Sequence, residues 1–556
     1  MKTKKEFFTF DVETWGLDAT PESFALGVIY GENFVYKTTD LARFRYMLLS
    51  KKFRNKTLFA HNAIYDLSTI FGNILTNLDS KAVFNNSTFI CARNNYVTFA
   101  DSLNIFPTSL KKLGELFGDN KGETPEKFKT GKRGPITDED IEYCVKDCKI
   151  LFDALNSLFT EIGCIRLTLA SLSMAYFRRL HLPQDIFYND LVYEFFDSYY
   201  GGRVECFRLG KVTAQKFDIN SMYPYAMKVA KFPDPGNLRR DDNPPLDKFR
   251  FLLEYYEGMV KAKVIHRDGF IGYLPVKHNG KLIFPTGTFT GTWNFNELRY
   301  AVKSKVVKVI SVEYCIYSKP IPSIFESFVT DVYNKRNNAT NEFQRYLYKI
   351  ILNSLYGKFA QKRKHNTRYV ENMQGITLKD NEKVTPFNSD RLDAFVTSEE
   401  QKWSYNTIPS FSSYITSFAR VQLLDQIIKY AENDIVYIDT DSIAVNNYTM
   451  DIETGPKLGQ FKLENKIIKY IYGNKSYKEK DGTLVMKGVR KGAKMLKGNK
   501  FSYLQMVKPR TALRRNIKAG SFIKVTKTIS DKYDKRLVFT DGSTWPIHLT
   551  EKTQNK

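Results

Sequence analysis

The sequence predicts a protein of several domains that combines α/β and α+β architectures. Its 556 residues are too many for one hydrophobic core, so about three to five domains are expected. Residues 1–165 alternate strand-like and helix-like segments, which is an α/β pattern. The remaining chain has longer strand-rich and helix-rich runs. The whole chain is 42% hydrophobic and 14% aromatic, as expected of a folded protein.

The charge of the chain indicates a polyanionic partner. There are 84 lysine and arginine residues against 60 aspartate and glutamate residues, so the formal net charge is +24. A membrane surface is the rival partner, but no run approaches the ~18 uninterrupted apolar residues of a spanning helix. The start, MKTKKEFFTFDVET, reaches carboxylates before any apolar stretch of signal-peptide length. We therefore expect a nucleic acid as the partner.

Cysteine and histidine predict neither a disulfide framework nor a zinc site. The six cysteines are few for a chain of this length, and the six histidines are scattered. Cys144 and Cys148 lie one helical turn apart without a second Cys or His pair, and we interpret them as small buried residues. Any metal ions must then be held by carboxylates, which favours magnesium or manganese.

Two strands and one long helix are predicted in the N-terminal third. The strands are EFFTFDVETWG and YVTFADSLNIF. The helix is DEDIEYCVKDCKILFDALNSLF, which has an apolar face. Thr137 followed by Asp140 resembles a capping box, so the helix is expected to begin there.

Four carboxylates of this region form the first candidate site. Asp11 and Glu13 are two residues apart on a predicted strand, so both project from one face. Asp66 lies on another segment, and on the predicted helix Tyr143 precedes Asp147 by four residues. Each pattern alone is common. Together they could bind two divalent ions about 3.5–4 Å apart, as two-metal phosphodiester hydrolysis requires.

Beyond residue 165 the predicted elements change type repeatedly along the chain. They are a helical stretch, the segments YYGGRVECF and KFDINSMYPYAM, a Pro-rich and strand-rich segment over 231–325, helix over roughly 326–362, a polar and irregular segment over 363–404, a helix near 411–431, and a basic, strand-like tail from about 506.

Three aspartates define the second candidate site. Asp218 ends a predicted strand in FDINSMYPYAM, where a simple Asx turn is the alternative. Asp439 and Asp441 interrupt the strand-like run VYIDTDSIAV, which predicts a β-hairpin with a polar tip. Alone, this segment is more often a turn than a site. If the strands are neighbours, the carboxylates converge and need cations among them.

The helix YKIILNSLYGKFAQK adds a polar stripe that includes Lys349, Asn353 and Tyr356. A solvated polar face is the simple alternative. However, Asn and Tyr are less expected on such a face than Glu or Lys. A lysine, an asparagine and a tyrosine aligned on a rigid helix suit a triphosphate and a stacked base. Gly357 leaves room for close approach of a backbone or base.

These motifs resemble those of family B DNA polymerases with a DEDDy proofreading exonuclease. DINSMYP, KIILNSLYG and YIDTDS look like the three polymerase motifs in the family's order, and the resemblance covers nearly the whole chain. It implies exonuclease metal ligands at Asp11, Glu13, Asp66 and Asp147, assisted by Tyr143 and Lys121; polymerase metal ligands at Asp218 and Asp441, with Asp439 shaping the hairpin or adding a ligand; and nucleotide contacts at Tyr223, Lys335, Lys349, Asn353 and Tyr356. Lys121 lies in a stretch that aligns loosely, and Lys335 is preferred to Arg336.

Further segments resemble the protein-primed branch of this family, found in small phages and linear plasmids. YYGG, TSFAR, NKSYKE and ADSLNIFP match elements that contact DNA there. The DNA contacts implied by the resemblance are His61, Asn62, Ser102, Leu103, Tyr199, Gly201, Gly202, Thr416, Arg420, Lys475 and Tyr477.

The resemblance also implies domains, cofactors and partners. The domains are an RNase H-like 3′–5′ exonuclease (1–165), a right-hand polymerase with its palm (166–230 and 405–505), fingers (326–362) and thumb (506–556), an insertion that contacts the terminal protein (231–325), and a second insertion that supports processivity and strand displacement (363–404). Each active site is expected to hold two magnesium or manganese ions. The expected partners are primer–template DNA, deoxynucleoside triphosphates and a terminal protein. The resemblance implies a monomer that replicates a linear viral or plasmid DNA in the cytoplasm of a bacterial host.

Three alternative functions stay open. One is a stand-alone nuclease whose C-terminal part only binds DNA. Another is a non-catalytic single-strand-binding protein, although the number of clustered carboxylates argues against it. The third is a family B polymerase that uses only nucleic-acid primers.

Overall fold

The computed structural model describes residues 6–78, 80–119, 122–182, 184–363, 365–399, 403–430, 434–446, 452–490, 492–496, 499–530 and 532–554. Within these ranges, none of the helices is long and apolar enough to cross a membrane. Sheets covered by helices alternate with antiparallel sheets, so the predicted mixture of α/β and α+β architecture is confirmed.

A seven-stranded sheet forms the centre of the N-terminal region. Its strands are β1 (Phe7–Thr14), β2 (Phe24–Gly31), β3 (Phe34–Thr38), β4 (Lys56–Ala60), β5 (Lys81–Asn85), β6 (Thr88–Arg93) and β7 (Val97–Asp101). Their order is β3-β2-β1-β4-β7-β6-β5, with β1–β4 and β4–β7 parallel. The helices are α1 (Leu41–Leu48), α2 (Ala63–Phe71), α3 (Ile74–Asn77), α4 (Leu110–Phe117), α5 (Glu126–Thr130) and α6 (Asp138–Ile162). Helix α6 packs on β1 and β2.

The two strands and the helix predicted in this region are confirmed, although the bounds of each differ from the predicted ones. Helix α6 begins at the predicted capping box, in which Thr137 and Asp140 bond each other's backbone. Strand β7 ends earlier than predicted. The Asp101 carboxylate accepts a hydrogen bond of 3.0 Å from the Leu103 N–H and turns the chain into a short 3₁₀ helix.

The next segment leads from the first sheet into a second one. It contains α7 (Leu169–Leu180), β8 (Val204–Cys206), β9 (Gly210–Ile219) and α8 (Met222–Val229). Helix α8 follows directly on β9, and Ser221 between them has a left-handed backbone with φ of 50°.

The strand-rich prediction for 231–325 is confirmed by a five-stranded sheet. The elements are β10 (Phe232–Pro233), β11 (Arg239–Asp242), α9 (Leu246–Tyr255), β12 (Glu257–His266), β13 (Val276–His278), β14 (Lys281–Ile283), β15 (Thr286–Asn294), α10 (Phe295–Lys303), β16 (Val307–Ser318) and β17 (Pro320–Ile321). The sheet order begins β11-β16-β12-β15, and a strand from the end of the chain completes it. Helices α9 and α10 pack on the sheet, and Trp293 is fully buried there.

The helical segment predicted over 326–362 consists of two helices, α11 (Glu326–Asn337) and α12 (Glu342–Ser354). They are separate because the Asn341 side chain accepts the Gln344 N–H at 2.9 Å and caps α12. The irregular structure predicted over 363–404 is wrong for three short segments, which form strands. Strands β18 (His365–Val370), β19 (Glu382–Pro386) and β20 (Ala394–Glu399) form an antiparallel sheet in the order β18-β20-β19.

The second large sheet combines strands that are far apart in sequence. Helix α13 (Pro409–Ile427) precedes β21 (Ile435–Asp439), β22 (Ser442–Asn446), β23 (Phe461–Gly473), β24 (Ser476–Glu479) and β25 (Leu484–Met486). The sheet order is β25-β24-β23-β9-β22-β21-β8. The hairpin predicted in VYIDTDSIAV is confirmed as β21 and β22, with Asp439 opposite Ser442.

The basic tail, predicted from about residue 506, contains helices as well as strands. Strands β26 (Lys494–Met495) and β27 (Lys500–Met506) precede it, and its own elements are α14 (Pro509–Arg515), β28 (Phe522–Thr528), β29 (Leu537–Val538), β30 (Thr544–Trp545), β31 (His548–Leu549) and α15 (Glu551–Gln554). Strand β31 pairs in parallel with β15.

Three distant parts of the chain meet at Arg510 on α14. Its guanidinium lies 4.6 Å from the ring centroid of Phe84 and 4.7 Å from that of Phe395. It also donates to the Tyr369 hydroxyl at 3.1 and 3.2 Å. We call this cluster of Arg510, Phe84, Tyr369 and Phe395 the Arg510 junction. It joins the tail to the first sheet and to the small sheet of β18–β20.

Candidate active sites

The three aspartates of the second candidate site lie on or beside neighbouring strands. Asp439 ends β21, Asp441 lies in the hairpin loop, and Ser442 at the start of β22 pairs with Asp218 on β9. The Ile219 N–H donates to the Asp441 carbonyl at 2.7 Å, which fixes the loop to the end of β9. The structure therefore brings Asp218, Asp439 and Asp441 to one edge of the sheet.

The electrostatics of this edge favour a bound cation. Burial raises the pKa of Asp441 to about 6, and the charges of Asp218 and Asp439 add to the shift. Lysines accompany the other two carboxylates. Lys462 Nζ lies 3.0 Å from Asp218, and Lys475 Nζ lies 2.7 and 2.8 Å from the two oxygens of Asp439. Oxygen ligands of this kind suit a hard divalent cation such as Mg²⁺.

The YYGG segment supports the tip of the hairpin. The Thr440 N–H donates to the Arg203 carbonyl at 2.7 Å. A Cβ atom on Gly202 would lie 2.7 Å from the Thr440 side chain, so only glycine fits. Thr440 itself has φ of 61°, which is unusual for a β-branched residue. The tip is therefore held in a strained conformation by the segment beside it.

Buried charges behind this segment fix its position. Arg203 and Arg536 both pair with Glu205, at 2.6 and 3.1 Å, and all three side chains are almost completely buried. Arg536 also donates to the Thr544 hydroxyl at 2.8 Å. The tail of the chain is thus tied to β8, which pairs with β21 of the hairpin. This network cannot be predicted from the sequence, because its members are far apart along the chain.

Arg420 and Thr416 on α13 are buried, and each has an internal partner. The Arg420 guanidinium donates to both carboxylate oxygens of Glu297, at 2.8 and 2.9 Å. It also donates to the carbonyls of Tyr200 and Gly201, at 2.9 and 3.0 Å. The Thr416 hydroxyl donates to a carbonyl of its own helix. Arg420 therefore holds the backbone of the YYGG segment from inside the protein.

Tyr223 and Tyr356 lie together beside the hairpin. Their ring centroids are 4.5 Å apart, although they come from α8 and from the turn after α12. Burial raises the pKa of Tyr223 to about 12, with the charge of Asp441 among the smaller causes. Burial also raises the pKa of Tyr199 to about 12, and Tyr356 adds to that shift. The predicted site residues Tyr199, Tyr223 and Tyr356 are thus close together and largely shielded from solvent.

The lysines of α11 and α12 differ in their surroundings. Lys349 and Asn353 are exposed on α12, and the Asn353 amide donates to the Lys349 carbonyl at 2.8 Å. Lys335 instead bonds the Tyr176 hydroxyl at 2.6 Å and Glu161 at 3.1 Å, away from the hairpin. The neighbouring Arg336 donates to the Ser221 hydroxyl at 3.3 Å, close to Tyr223.

Lys475 and Tyr477 both contact Tyr437 on β21 of the hairpin. Besides pairing with Asp439, Lys475 donates its backbone N–H to the Tyr437 hydroxyl at 3.0 Å. The Tyr477 ring is buried, 5.9 Å from that of Tyr437.

The four carboxylates of the first candidate site also come together in the structure. Asp11 and Glu13 lie on β1, Asp66 on α2 and Asp147 on α6, and the last two are 2% and 3% exposed. The Val12 N–H donates to Asp66 at 3.2 Å, which joins α2 to β1. Burial, followed by the charge of Asp11, holds the pKa of Asp66 well above its usual range. These carboxylates, like those at the hairpin, fit divalent cations.

The assisting residues of this site have defined partners. The Tyr143 hydroxyl is 2.9 Å from that of Thr124. Lys121 lies outside the described residues. His61 bonds the Ser102 hydroxyl at 2.9 Å through Nδ1 and the Thr108 carbonyl at 2.7 Å through Nε2.

A buried aspartate organises the segment around His61. Asp101 accepts the N–H groups of Asn62 and Leu103, both at 3.0 Å, and Asn62 has φ of 74°. Ser102 is buried and Leu103 is half-buried. The role of Asp101 cannot be predicted from the sequence, since it depends on the pairing of β4 with β7.

Cys144 is a second residue that the sequence analysis did not assign to this site. Its Sγ lies 3.6 Å from a carboxylate oxygen of Asp11. Donor atoms of Asp11, Glu13 and Cys144 all lie within 4.8 Å of one another. The available signal was its position on the predicted helix, directly after Tyr143 and three residues before Asp147.

Comparisons with known proteins agree with this arrangement. The family model described as DNA polymerase type B, organellar and viral, matches residues 126–457. A Neurospora intermedia protein named "Probable DNA polymerase" is 25% identical over 536 residues, which cover 81% of this chain and 54% of that protein. The chain thus spans about half the length of this fungal relative. The DNA-directed DNA polymerase of Enterobacteria phage PRD1 is 25% identical over 512 residues, which cover 88% of this chain and 85% of that protein.

A solved structure has the same fold over nearly the whole chain. Phi29 DNA polymerase complexed with primer-template DNA superposes with a TM-score of 0.71 at 19% identity, covering 95% of this chain and 100% of that one. The family model alone spans more than half of the present sequence. The chain therefore belongs to the organellar and viral type B DNA polymerases.

Proposed function

We propose that this protein is a DNA-directed DNA polymerase with its own 3′–5′ proofreading exonuclease. The observation that carries the proposal is the convergence of Asp218, Asp439 and Asp441 beside the paired rings of Tyr223 and Tyr356. Family membership and the fold shared with a polymerase solved with primer-template DNA support it.

The residues at the hairpin suit phosphoryl transfer. In this proposal Asp218 and Asp441 would hold two magnesium or manganese ions, which would supply Lewis acidity for phosphoryl transfer. Asp439, paired with Lys475, keeps the tip in shape. Lys349 is exposed on α12 and neutralises the charge of the triphosphate.

The aromatic residues select the nucleotide. Tyr356 packs against the incoming base, and Tyr223 lies under the sugar, where its ring excludes a ribose 2′-hydroxyl. Asn353 lies on the same helix as Lys349 and faces the nucleotide. Arg336 is a better candidate for the second phosphate contact than Lys335, since it already bonds Ser221.

The carboxylates on β1, α2 and α6 suit the removal of mismatched ends. Asp11, Glu13, Asp66 and Asp147 hold two further ions in this proposal, and Tyr143 orients the attacking water. His61, Asn62, Ser102 and Leu103 receive the single strand. Asn62 directly precedes α2, the helix that carries Asp66, and this position supports the role.

We infer that the DNA is held by basic surface and by the segments that flank the hairpin. The net charge of +24 favours phosphate binding with a strong salt dependence. Tyr199, Gly201, Gly202 and Tyr477 guide primer and template, with Thr416 and Arg420 supporting them from behind. The 231–325 segment receives a terminal protein, and 363–404 supports processivity and strand displacement. The protein acts as a monomer in the cytoplasm of a bacterial host.

Separate loss of the two activities tests the proposal. We expect Asp441→Ala to abolish extension of a primed template while leaving single-strand degradation intact. Asp11→Ala combined with Asp66→Ala should have the opposite effect. Extension and degradation by each purified variant are measured with magnesium and four deoxynucleotides. Loss of both activities in either variant would indicate misfolding, and degradation without any extension by the unchanged protein would favour a stand-alone nuclease.

Protein priming needs its own experiment. The polymerase is mixed with a candidate terminal protein and one labelled deoxynucleotide, without any nucleic-acid primer. Covalent transfer of the label to a hydroxyl of the terminal protein is the expected result. Labelling that requires a nucleic-acid primer would favour the branch of the family that uses only such primers.

A further inference from the structure

We propose that Cys144 makes the exonuclease metal site selective for thiophilic ions, so that Zn²⁺ binds there through Asp11, Glu13 and Cys144 and stops proofreading while synthesis continues. This inference rests on the proposed exonuclease function. It concerns the regulation of that site by a metal ion and goes beyond the carboxylate ligands that the family motif implies.

The position of the thiol carries the proposal. Cys144 Sγ is 3.6 Å from a carboxylate oxygen of Asp11, and donor atoms of Asp11, Glu13 and Cys144 lie within 4.8 Å of one another. Zinc bonds are about 2.3 Å to sulfur and about 2.0–2.2 Å to carboxylate oxygen. Side-chain movements of about 1 Å would bring all three donors to these distances.

The backbone keeps the thiol at this site. Cys144 is fully buried on α6, where it packs with Leu26, Val28 and Cys148 between the helix and β2. Helix α6 runs for 25 residues and is capped at its start. The thiol therefore has little freedom to turn away from Asp11, and it is present whenever the carboxylates bind an ion.

Ligand chemistry then separates one metal from another. Mg²⁺ prefers six oxygen ligands in octahedral geometry and gains nothing from sulfur, whereas Zn²⁺, Cd²⁺ and Co²⁺ bind thiolate and accept four-coordinate sites. Binding of such an ion releases the thiol proton to solvent. Mg²⁺ binds through the carboxylates alone. The bond from the thiolate to Zn²⁺ therefore disfavours replacement of Zn²⁺ by Mg²⁺, the ion that supports degradation.

The polymerase site differs in this respect. Among the residues that the structure describes, no cysteine joins Asp218, Asp439 and Asp441 in a comparable group of donor atoms. Cys206, on the strand next to the hairpin, donates its S–H to Asn474 instead. Low concentrations of Zn²⁺ should therefore affect degradation before they affect synthesis.

The chain offers a matched control in Cys148. It is as buried as Cys144 and lies one turn later on the same helix, but its S–H donates to the Val28 carbonyl. Cys148→Ser removes a buried thiol without removing a donor from the site. Cys144→Ser and Cys144→Ala both remove the sulfur donor, and the second variant serves if the first folds poorly.

The test is spectroscopic and uses the full-length protein freed of metal. Co²⁺ is titrated into the unchanged protein and the three variants, and the thiolate-to-cobalt charge-transfer band is recorded in the near ultraviolet. We expect the band in the unchanged protein and in Cys148→Ser, and its loss in both Cys144 variants. Absence of the band in the unchanged protein, or its persistence in either folded Cys144 variant, would overturn the proposal.

A second measurement links binding to activity. Degradation of single-stranded DNA is followed in Mg²⁺ with increasing Zn²⁺, and each variant is compared with its own rate in Mg²⁺ alone. Replacement of Cys144 should raise the Zn²⁺ concentration for half inhibition at least about tenfold. An unshifted value would contradict the inference while leaving the exonuclease in place. A protein without Mg²⁺-dependent degradation that still shows the cobalt band would instead refute the proposed function.

Discussion

Asp441 occupies a position where its negative charge is unfavourable unless a cation is near. Burial and the charges of Asp218 and Asp439 raise its pKa from 3.8 to about 6. The folded protein therefore binds this proton more tightly than the unfolded chain does. The resulting stability is fully present below about pH 4 and is lost as the pH rises through about 6.

We expect Asp441→Asn to raise the melting temperature of the metal-free protein at about pH 8. The amide removes the repulsion among the three carboxylates, and about 1–2 kcal/mol is expected after allowance for the partial exposure of the group. Calorimetry in a chelator at about pH 8 and pH 5 measures the effect. The gain should shrink at pH 5, where the carboxyl group is already protonated. An equal gain at both values would contradict this account of Asp441.

Tyr223→Val should increase the use of ribonucleotides. The smaller side chain leaves space for a 2′-hydroxyl, and we expect the ratio of kcat/KM for ribonucleotides to that for deoxynucleotides to rise about tenfold or more. Single-nucleotide extension measures both values. Tyr223→Phe is the matched control, since it keeps the ring and should keep the discrimination. No gain in the valine variant would remove Tyr223 from its proposed role.

At this scale, the sequence predicts residues whose chemistry allows few substitutes. Asp218, Asp439 and Asp441 could be identified because their motifs name both the residue type and its strand. The burial of Arg420 could not be predicted, because it depends on Glu297 in another segment. Cys144 was interpreted as a small core residue, and only the packing of α6 on β1 brings its sulfur to Asp11.

At the scale of elements, the hairpin depends on its contact with the YYGG segment. A Cβ atom on Gly202 would lie 2.7 Å from the Thr440 side chain. Gly202→Ala should therefore displace the tip and lower kcat for extension about a hundredfold, because small misplacements of reacting groups are costly. Steady-state extension at saturating DNA measures this loss.

The neighbouring glycine provides the control for this prediction. Among the described residues, a Cβ atom on Gly201 would meet no atom within 4 Å, so Gly201→Ala should lower kcat much less. Adding Thr440→Gly to the Gly202→Ala variant removes the clash and suits the positive φ at that position, so activity should partly return. A double variant as inactive as the single one would show that the clash is not the cause.

Elements with local signals were predicted well, and those that depend on distant partners were not. Helix α6 has its own capping box and apolar face, and the hairpin has its own turn residues. The small sheet of β18–β20 lacks such signals. Its buried Phe395 ring is covered in part by Arg510 from the tail, a contact that the polar composition of 363–404 does not predict.

At the scale of the whole molecule, the Arg510 junction connects parts of the chain that are far apart in sequence. It links the first sheet, the small sheet of β18–β20 and the tail, while Arg536 links the same tail to the hairpin. The Ala19 N–H also donates to the Gly520 carbonyl at 2.9 Å, which adds a second link between the first sheet and the tail.

Arg510→Ala should weaken this connection and shorten the products made in one binding event. The substitution removes two hydrogen bonds and the contacts with two rings, together about 1–3 kcal/mol. Product length is measured in the presence of a heparin trap. Arg515→Ala on the same helix loses the same charge from an exposed position and should keep the longer products. Equal shortening in both variants would indicate a general loss of phosphate attraction.

The position of β9 has a consequence for synthesis of the protein on the ribosome. Strand β9 lies between β22 and β23 in the sheet. Neither of its edges can form hydrogen bonds until residues 220–441 and the later strands have been made. The first sheet, by contrast, is complete before β9 emerges. We expect the first sheet to fold early while β9 remains unpaired over a long part of translation, and an unpaired strand edge favours aggregation. Nascent chains arrested between β9 and β22 should therefore need a chaperone. Chains arrested directly after α6, before β9 has been made, should not.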